Sequence, residues 1–336
     1  MSSSTSNSRA ALAAVGFVFA VLSLCELALR LGEESISIDV AHLRSIPAIA
    51  NRLNAGEGKR VLFLGSSIVR EGVNLEDILQ GIHDSGIDEP LTFEKVHPDD
   101  SRIAEWTYLV EHHFINPGRL PDVIVIGFAG SHLEDYHPIP WDRIAAYYAS
   151  TQALPRIVFE EIDNFETRVQ FVLAHFIRSF AYRERVGKRV FDLVVPHYRD
   201  SSRRINASLR REQLVTKQGE VEQYGRLEKL AELTNRHGVA VILVAMPLRA
   251  NWEIPAELPK RASEIGVTLL DARNIPDFGQ ELFKDGLHMN ATGAERFSKW
   301  LPTILAPSLL ETNRRAPAAA ADININPGRE TQPDDD

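Results

Sequence analysis

The sequence predicts an α/β protein: a three-layer α/β/α body around a central, mainly parallel, five-stranded sheet, with a helical insertion and an N-terminal transmembrane helix. Three observations carry this. Apolar runs within 61–64, 121–126 and 239–246 read as short strands buried on both faces, the mark of a parallel sheet. Stretches of helical spacing alternate with them, and the first two runs stop on glycine, at Gly65 and in Gly127-Phe128-Ala129-Gly130. Residues 10–31 are apolar or small almost throughout, close to the ~20 residues a helix needs to cross a bilayer.

At 336 residues and 44% hydrophobic composition, the chain has material for one large α/β domain with appendages, and length alone also allows two. A net charge of −9 argues against a nucleic-acid partner, because phosphate binding needs a basic surface. The pairs Arg203-Arg204 and Arg210-Arg211 fit a solvated helix face instead. Cys25, the single cysteine, lies within the apolar segment. The rest of the chain therefore has no disulfide, no thiol nucleophile and no thiolate metal site.

Taken in order, residues 1–9 form a polar tail and 10–31 an uncleaved signal anchor. A cleaved signal peptide is the rival, but a small-x-small cleavage site is missing and Arg9 is the only basic flank. A lipoprotein reading of 22–25 fails on the bulky Leu24. Glu26 and Arg30, four apart near the outer end, are placed to pair or to reach the interface. Arg9 is balanced by Arg30 and Arg44, so charge does not set the orientation. Residues 32–57 read as a connecting segment.

The body starts at 58. After the strand 60–64, Gly65 permits a sharp turn that throws Ser66 and Ser67 onto the carboxyl edge of the sheet, where ligands of such folds sit. Taken alone, Gly-Ser-Ser also fits a turn and an N-cap serine. A helix follows at 75–83, a strand at 91–96, and helical spacing at 101–113 with Ile103, Trp106, Leu109 and Val110 on one face. Residues 133–220 read as a helical insertion beside the active edge, suited to shaping a groove or docking a protein partner. His132, Asp135 and His137, at the start of this region, lack a convincing ligand spacing and read as loop residues. Helix returns at 221–237, strand at 239–246, helix at 256–264 and strand at 267–270.

In the next loop Asp285 and His288 stand three apart. That is close enough for the carboxylate to accept from one ring nitrogen while the other faces a serine hydroxyl. Thr292-Gly293-Ala294-Glu295 reads as a capping box opening a final helix through Phe297, Trp300, Leu301, Ile304 and Leu305. Residues 306–336, rich in Pro, Ala, Asn and Asp toward the end, read as a disordered tail.

The blocks Gly65-Ser66-Ser67 and Asp285-Gly286-Leu287-His288 resemble the first and last blocks of the SGNH/GDSL hydrolase superfamily. More narrowly, the chain is similar to the membrane-anchored bacterial branch that includes cell-envelope O-acetyltransferases and esterases. The resemblance covers about 58–305, with only its end blocks specific. It implies an SGNH/flavodoxin-like fold, Ser67 as nucleophile, His288 as base and Asp285 as its acid, with no cofactor and no metal. It also implies an acyl-ester substrate, such as O-acetyl groups of envelope polysaccharide, and a place at the periplasmic face of a bacterial inner membrane.

Gly65, Ser66, Gly130, Ser131, His132 and Arg70 are the candidates for oxyanion or substrate contacts, although Arg70 and Glu71 read first as an exposed pair. Two positions depart from the pattern. The loop His97-Pro98-Asp99-Asp100-Ser101 lacks the usual glycine, and Ala129 stands where the superfamily has an asparagine donor. Losing one such donor costs roughly a hundredfold in rate. Two functions follow: an esterase or O-acyltransferase, or a catalytically impaired module that binds envelope polysaccharide or scaffolds an assembly complex.

Overall fold

The computed structural model describes residues 4–35, 37–135, 137–198, 201 and 223–314. Its helices in chain order begin with α1 (Ser4–Gly32), α2 (Ile38–Ala55), α3 (Ser67–Gly72), α4 (Leu75–Asp84) and α5 (Ile103–Val110). They continue with α6 (Phe165–Phe176), α7 (Arg178–Ala181), α8 (Arg183–Val194), α9 (Gly225–Arg236), α10 (Glu257–Glu264), α11 (Ala291–Trp300) and α12 (Pro302–Arg314). The strands are β1 (Lys59–Gly65), β2 (Leu91–Val96), β3 (Val123–Phe128), β4 (Ala240–Ala245) and β5 (Thr268–Asp271).

The strands form one parallel sheet in the order β2-β1-β3-β4-β5. From β1 the chain first moves out to β2 and later comes back to the opposite side as β3. The carboxyl ends of β1 and β3 therefore flank a switch point, the place where open α/β sheets bind ligands. Alternation along the strands fills two cores. Leu62, Leu64, Ile124 and Ile126 pack with α2, α5, α9 and α10, while Val61, Phe63, Val123 and Val125 pack with α3, α4, α11 and α12. This is the three-layer α/β/α architecture expected.

Three boundaries differ from the sequence reading. The connecting segment 32–57 contains α2, whose Val40, Leu43, Ile46, Ala50 and Leu53 recur at helical spacing and are buried. Pro47 disguises it in the sequence. The proline removes one backbone hydrogen bond, but it sits on the exposed face, where its ring displaces nothing from the core. The final helix is capped by Asn290, whose side chain accepts from the Gly293 N–H at 2.9 Å, so it opens ahead of the Thr292 box. Residues 306–314, expected in the tail, belong instead to α12, which continues to Arg314 and buries Ala306 and Leu309. Residues 315–336 lie outside the described residues.

Two π-helical turns, Ile144–Tyr148 and Ile157–Glu161, and the helices α6 to α8 lie in the described part of the insertion. Ile144, Tyr148, Ile157 and Phe171 bind it to the core beneath α2 and α5. The remainder of the expected insertion, residues 199–220 apart from 201, lies outside the described residues. Helix α1 touches the body only near its last turns, through Glu26 and Arg30, and residues 10–35 are long and apolar enough to cross a membrane.

Candidate active site

Two glycines set the position of Ser67. Gly65 and Gly127 are partners in the β1–β3 register. A Cβ on Gly65 would stand 2.3 Å from Val69 Cγ2, and one on Gly127 would stand 2.4 Å from the same methyl. Only bare backbone lets Val69 sink onto the two strands, which seats α3 at the switch point with Ser67 as its first residue.

The partner comes from the other end of the chain. Phe283 and Met289 pair as an antiparallel bridge, and Lys284 N–H donates to His288 O at 2.9 Å, closing the intervening residues into a tight loop. Asp285 organises its interior. One carboxylate oxygen accepts from the Leu287 and His288 N–H groups, each at 2.8 Å, and the other is 2.8 Å from His288 Nδ1. His288 Nε2 lies 2.8 Å from Ser67 Oγ. With Nδ1 donating to the carboxylate, Nε2 is left to accept the serine proton, a tautomer assigned from these two partners. Partial burial pushes the Asp285 carboxyl up, but the hydrogen bonds from the His288 ring and from the two N–H groups outweigh it and hold it at about 2.

The loop is tied to α3 directly, and the helix that follows it is tied to the end of α3. Lys284 Nζ pairs with Glu71 at 2.7 Å, and Ser298 of α11 accepts from Asn74 N–H at 2.8 Å while facing Gly72 O at 3.3 Å. Neither tie is visible as a motif. Lys284 and Glu71 are ordinary surface charges until the fold brings them together.

A second loop flanks the serine, that between β2 and α5. Ser101 Oγ accepts from Trp106 Nε1 at 2.9 Å and directs its one proton toward Pro98 O at 2.7 Å and Gly65 O at 3.1 Å, which sets the loop against the end of β1. Asp99 is gripped on both sides: its N–H donates to Asp39 at 2.8 Å, and its carbonyl accepts from Arg143 at 2.8 Å. Between these holds Asp100 takes φ 53°, the left-handed region that favours glycine. Arg70 is half-buried and bridges Glu71 and Asp99, so it is a brace between α3 and this loop rather than one half of an exposed pair.

The third edge is less open. Gly130 takes φ 52° just beyond β3. The His132 N–H turns back to Ala129 O at 3.3 Å, and Ser131 Oγ faces His137 Nε2 at 2.8 Å. Asp135 accepts from the Gly225 and Arg226 N–H groups, capping α9. The Ser131 and His137 side chains therefore face each other, and that of Asp135 serves α9. Ala129 is buried and offers no side-chain donor. The clamps from Asp39 and Arg143 were not legible beforehand, since each lies far in sequence from the loop it holds.

Beneath the same loop His42 of α2 stacks on His97, with ring centroids 3.8 Å apart and planes 4° from parallel. The His97 N–H donates to His42 Nε2 at 2.9 Å. Burial lowers His42 from the ordinary 6.5 to about 4, with Asp39 opposing and Arg70 and Lys95 assisting. Burial, His42 and Lys95 lower His97 to about 3. An imidazole with a depressed pKa is charged first in the unfolded chain. The pair's stabilisation is therefore complete above pH 6.5 and lost as pH falls toward these values. For His42 alone the shift corresponds to about 3 kcal/mol. Thermal unfolding scanned from pH 7 to 4.5 should show a falling Tm, with a shallower fall in His42→Asn. Equal slopes in the two proteins would remove the pair as the cause.

No protein-family model matches the chain, and no curated protein matches it. Among solved structures it is similar to variants of an acetyl-xylooligosaccharide esterase, also described as an acetyl xylan esterase, from Geobacillus stearothermophilus. The TM-score is 0.35 at 12% identity, over 76% of this chain and 94% of that one. So distant a likeness says nothing about individual residues, and the chemistry below rests on the geometry alone.

Proposed function

We propose that this chain is an SGNH/GDSL-like serine esterase or O-acyltransferase. In this reading it is held by α1 at the outer face of a bacterial inner membrane and acts on acyl esters such as O-acetyl groups of cell-envelope carbohydrate. The observation that carries this reading is the continuous hydrogen-bonded line Ser67–His288–Asp285. His288 takes the Ser67 proton as Oγ attacks the ester carbonyl, and Asp285 holds the ring and stabilises its charged form. The carbonyl oxygen, now negative, is received by the Ser67 N–H, one of the donors a helix start leaves unpaired. His288 then returns its proton to the leaving alcohol. Water releases the acyl group in an esterase, and a sugar hydroxyl takes it in a transferase.

The second reading, a module that binds envelope polysaccharide or scaffolds an assembly complex without turnover, is favoured by one observation, the missing side-chain donor at Ala129. Labelling with a fluorophosphonate probe separates the two. The intact protein should be labelled and the Ser67→Ala variant should not. A wild-type chain that stays unlabelled, or a variant labelled to the same extent, rules out the nucleophile. Acetate release from acetylated polysaccharides, compared with simple aryl esters, then identifies the substrate class.

A further inference from the structure

We propose that the outward face of α6 is a lipid-docking surface that lies in the headgroup region of the same bilayer α1 crosses, an inference that rests on reading α1 as a membrane span. Phe165, Val169, Val172 and Phe176 are all exposed. At 3.6 residues per turn they fall within about a sixth of the helix circumference. The opposite side of the helix already has its partners: Phe171 and Ala174 are buried, and the Phe171 ring packs edge-on to Trp141 with centroids 5.8 Å apart. A helix apolar on two sides, with Glu166, Arg168 and Gln170 between them, is built to touch two apolar media.

The contacts with α1 identify the second medium. The Arg30 guanidinium donates to Phe176 O at 2.7 Å, and the Glu26 carboxylate accepts from the Arg178 and Ser179 N–H groups at 2.8 Å each. Glu26 lies about 6 Å below Arg30 along the helix axis at 1.5 Å per residue. The end of α6 and the start of α7 are therefore fastened to the last turns of the apolar segment, at the depth of the interface and not in the water above it. An acidic residue near the end of a membrane helix is tolerated here because backbone donors of α7 satisfy it. The last turns of α8, which follows α7 directly, add exposed Val190, Phe191, Leu193 and Val194. Apolar side chains fixed at that depth partition into the headgroup and acyl boundary, as those of interfacial amphipathic helices do.

The test uses the full chain in phosphatidylethanolamine/phosphatidylglycerol vesicles. In a Cys25→Ser background, single cysteines Val169→Cys and Val172→Cys carry an environment-sensitive fluorophore, with Leu22→Cys in α1 and the exposed Lys260→Cys on α10 as references. Quenching by doxyl-labelled lipid should be severalfold stronger at 169 and 172 than at 260, with little added quenching by aqueous iodide. If 22 is quenched while 169 and 172 respond only to iodide, the helix faces water and the docking surface is refuted while the span stands. If 22 is quenched while 169 and 172 are shielded from both quenchers, protein covers the face, and the lipid assignment is overturned in favour of a second copy or another stretch of the chain. A label at 22 that lipid does not quench removes the span, and the docking surface with it.

Discussion

Replacing His288 with alanine is expected to lower kcat for an aryl ester by on the order of a millionfold, with KM little changed. The imidazole is the only group found on Ser67 Oγ among the described residues, so its loss leaves the hydroxyl without a base. The folding temperature should stay within a few degrees of wild type, because His288 is partly exposed and its removal opens no core cavity. Asp285→Asn should cost less, about 10^4-fold, through the tautomer it imposes on the ring. That variant also disturbs the loop, since the same carboxylate accepts from Leu287 and His288 N–H groups. Steady-state kinetics on the purified full chain check both. A drop under tenfold in His288→Ala would mean that another group takes the proton.

Arg143→Met is expected to destabilise the fold by about 3–5 kcal/mol, the cost of stranding a buried charge. Arg143 donates to Glu105 at 3.0 Å, and the Glu105 side chain is only 3% exposed. The flexible methionine fills much of the volume, so the loss reads the charge and not a void. The double variant with Glu105→Gln should recover part of it, and a double-mutant cycle in urea measures how much. Arg143 also holds the Asp99 carbonyl, so turnover should fall below its wild-type value well under the variant's melting temperature. Full activity in a folded Arg143→Met protein would show that the loop after β2 keeps its shape without this clamp.

What the sequence made legible was local. Unbroken apolar runs ending on glycine are enough to locate β1 and β3, and the two short blocks carrying Ser67 and Asp285/His288 announce themselves by residue type and spacing. Residues that act through distant partners were silent. Asp39, Arg143 and Lys284 carry no pattern of their own, and their use depends on which loop the fold sets beside them. Pro47 lies inside α2, a helix that six buried apolar residues nonetheless stabilise. The capping box at Thr292 lost to Asn290 because an earlier side chain could already reach the Gly293 N–H. The insertion was hardest to parse, since its two π-helical turns break the 3.6-residue rhythm on which such readings depend.

The chain is held to the body on both sides of the turn from α1 into α2. Glu33 is buried between Arg44 at 2.8 Å and the Tyr182 hydroxyl at 2.8 Å, and α2 begins five residues later, with its Asp39 already gripping the loop beside Ser67. With α1 in a bilayer, the reactive hydroxyl would work at one fixed altitude, like a tool bolted to a bench. Polymer would have to be fed past it, and the distance of each ester from the membrane would then decide which ones are ever processed.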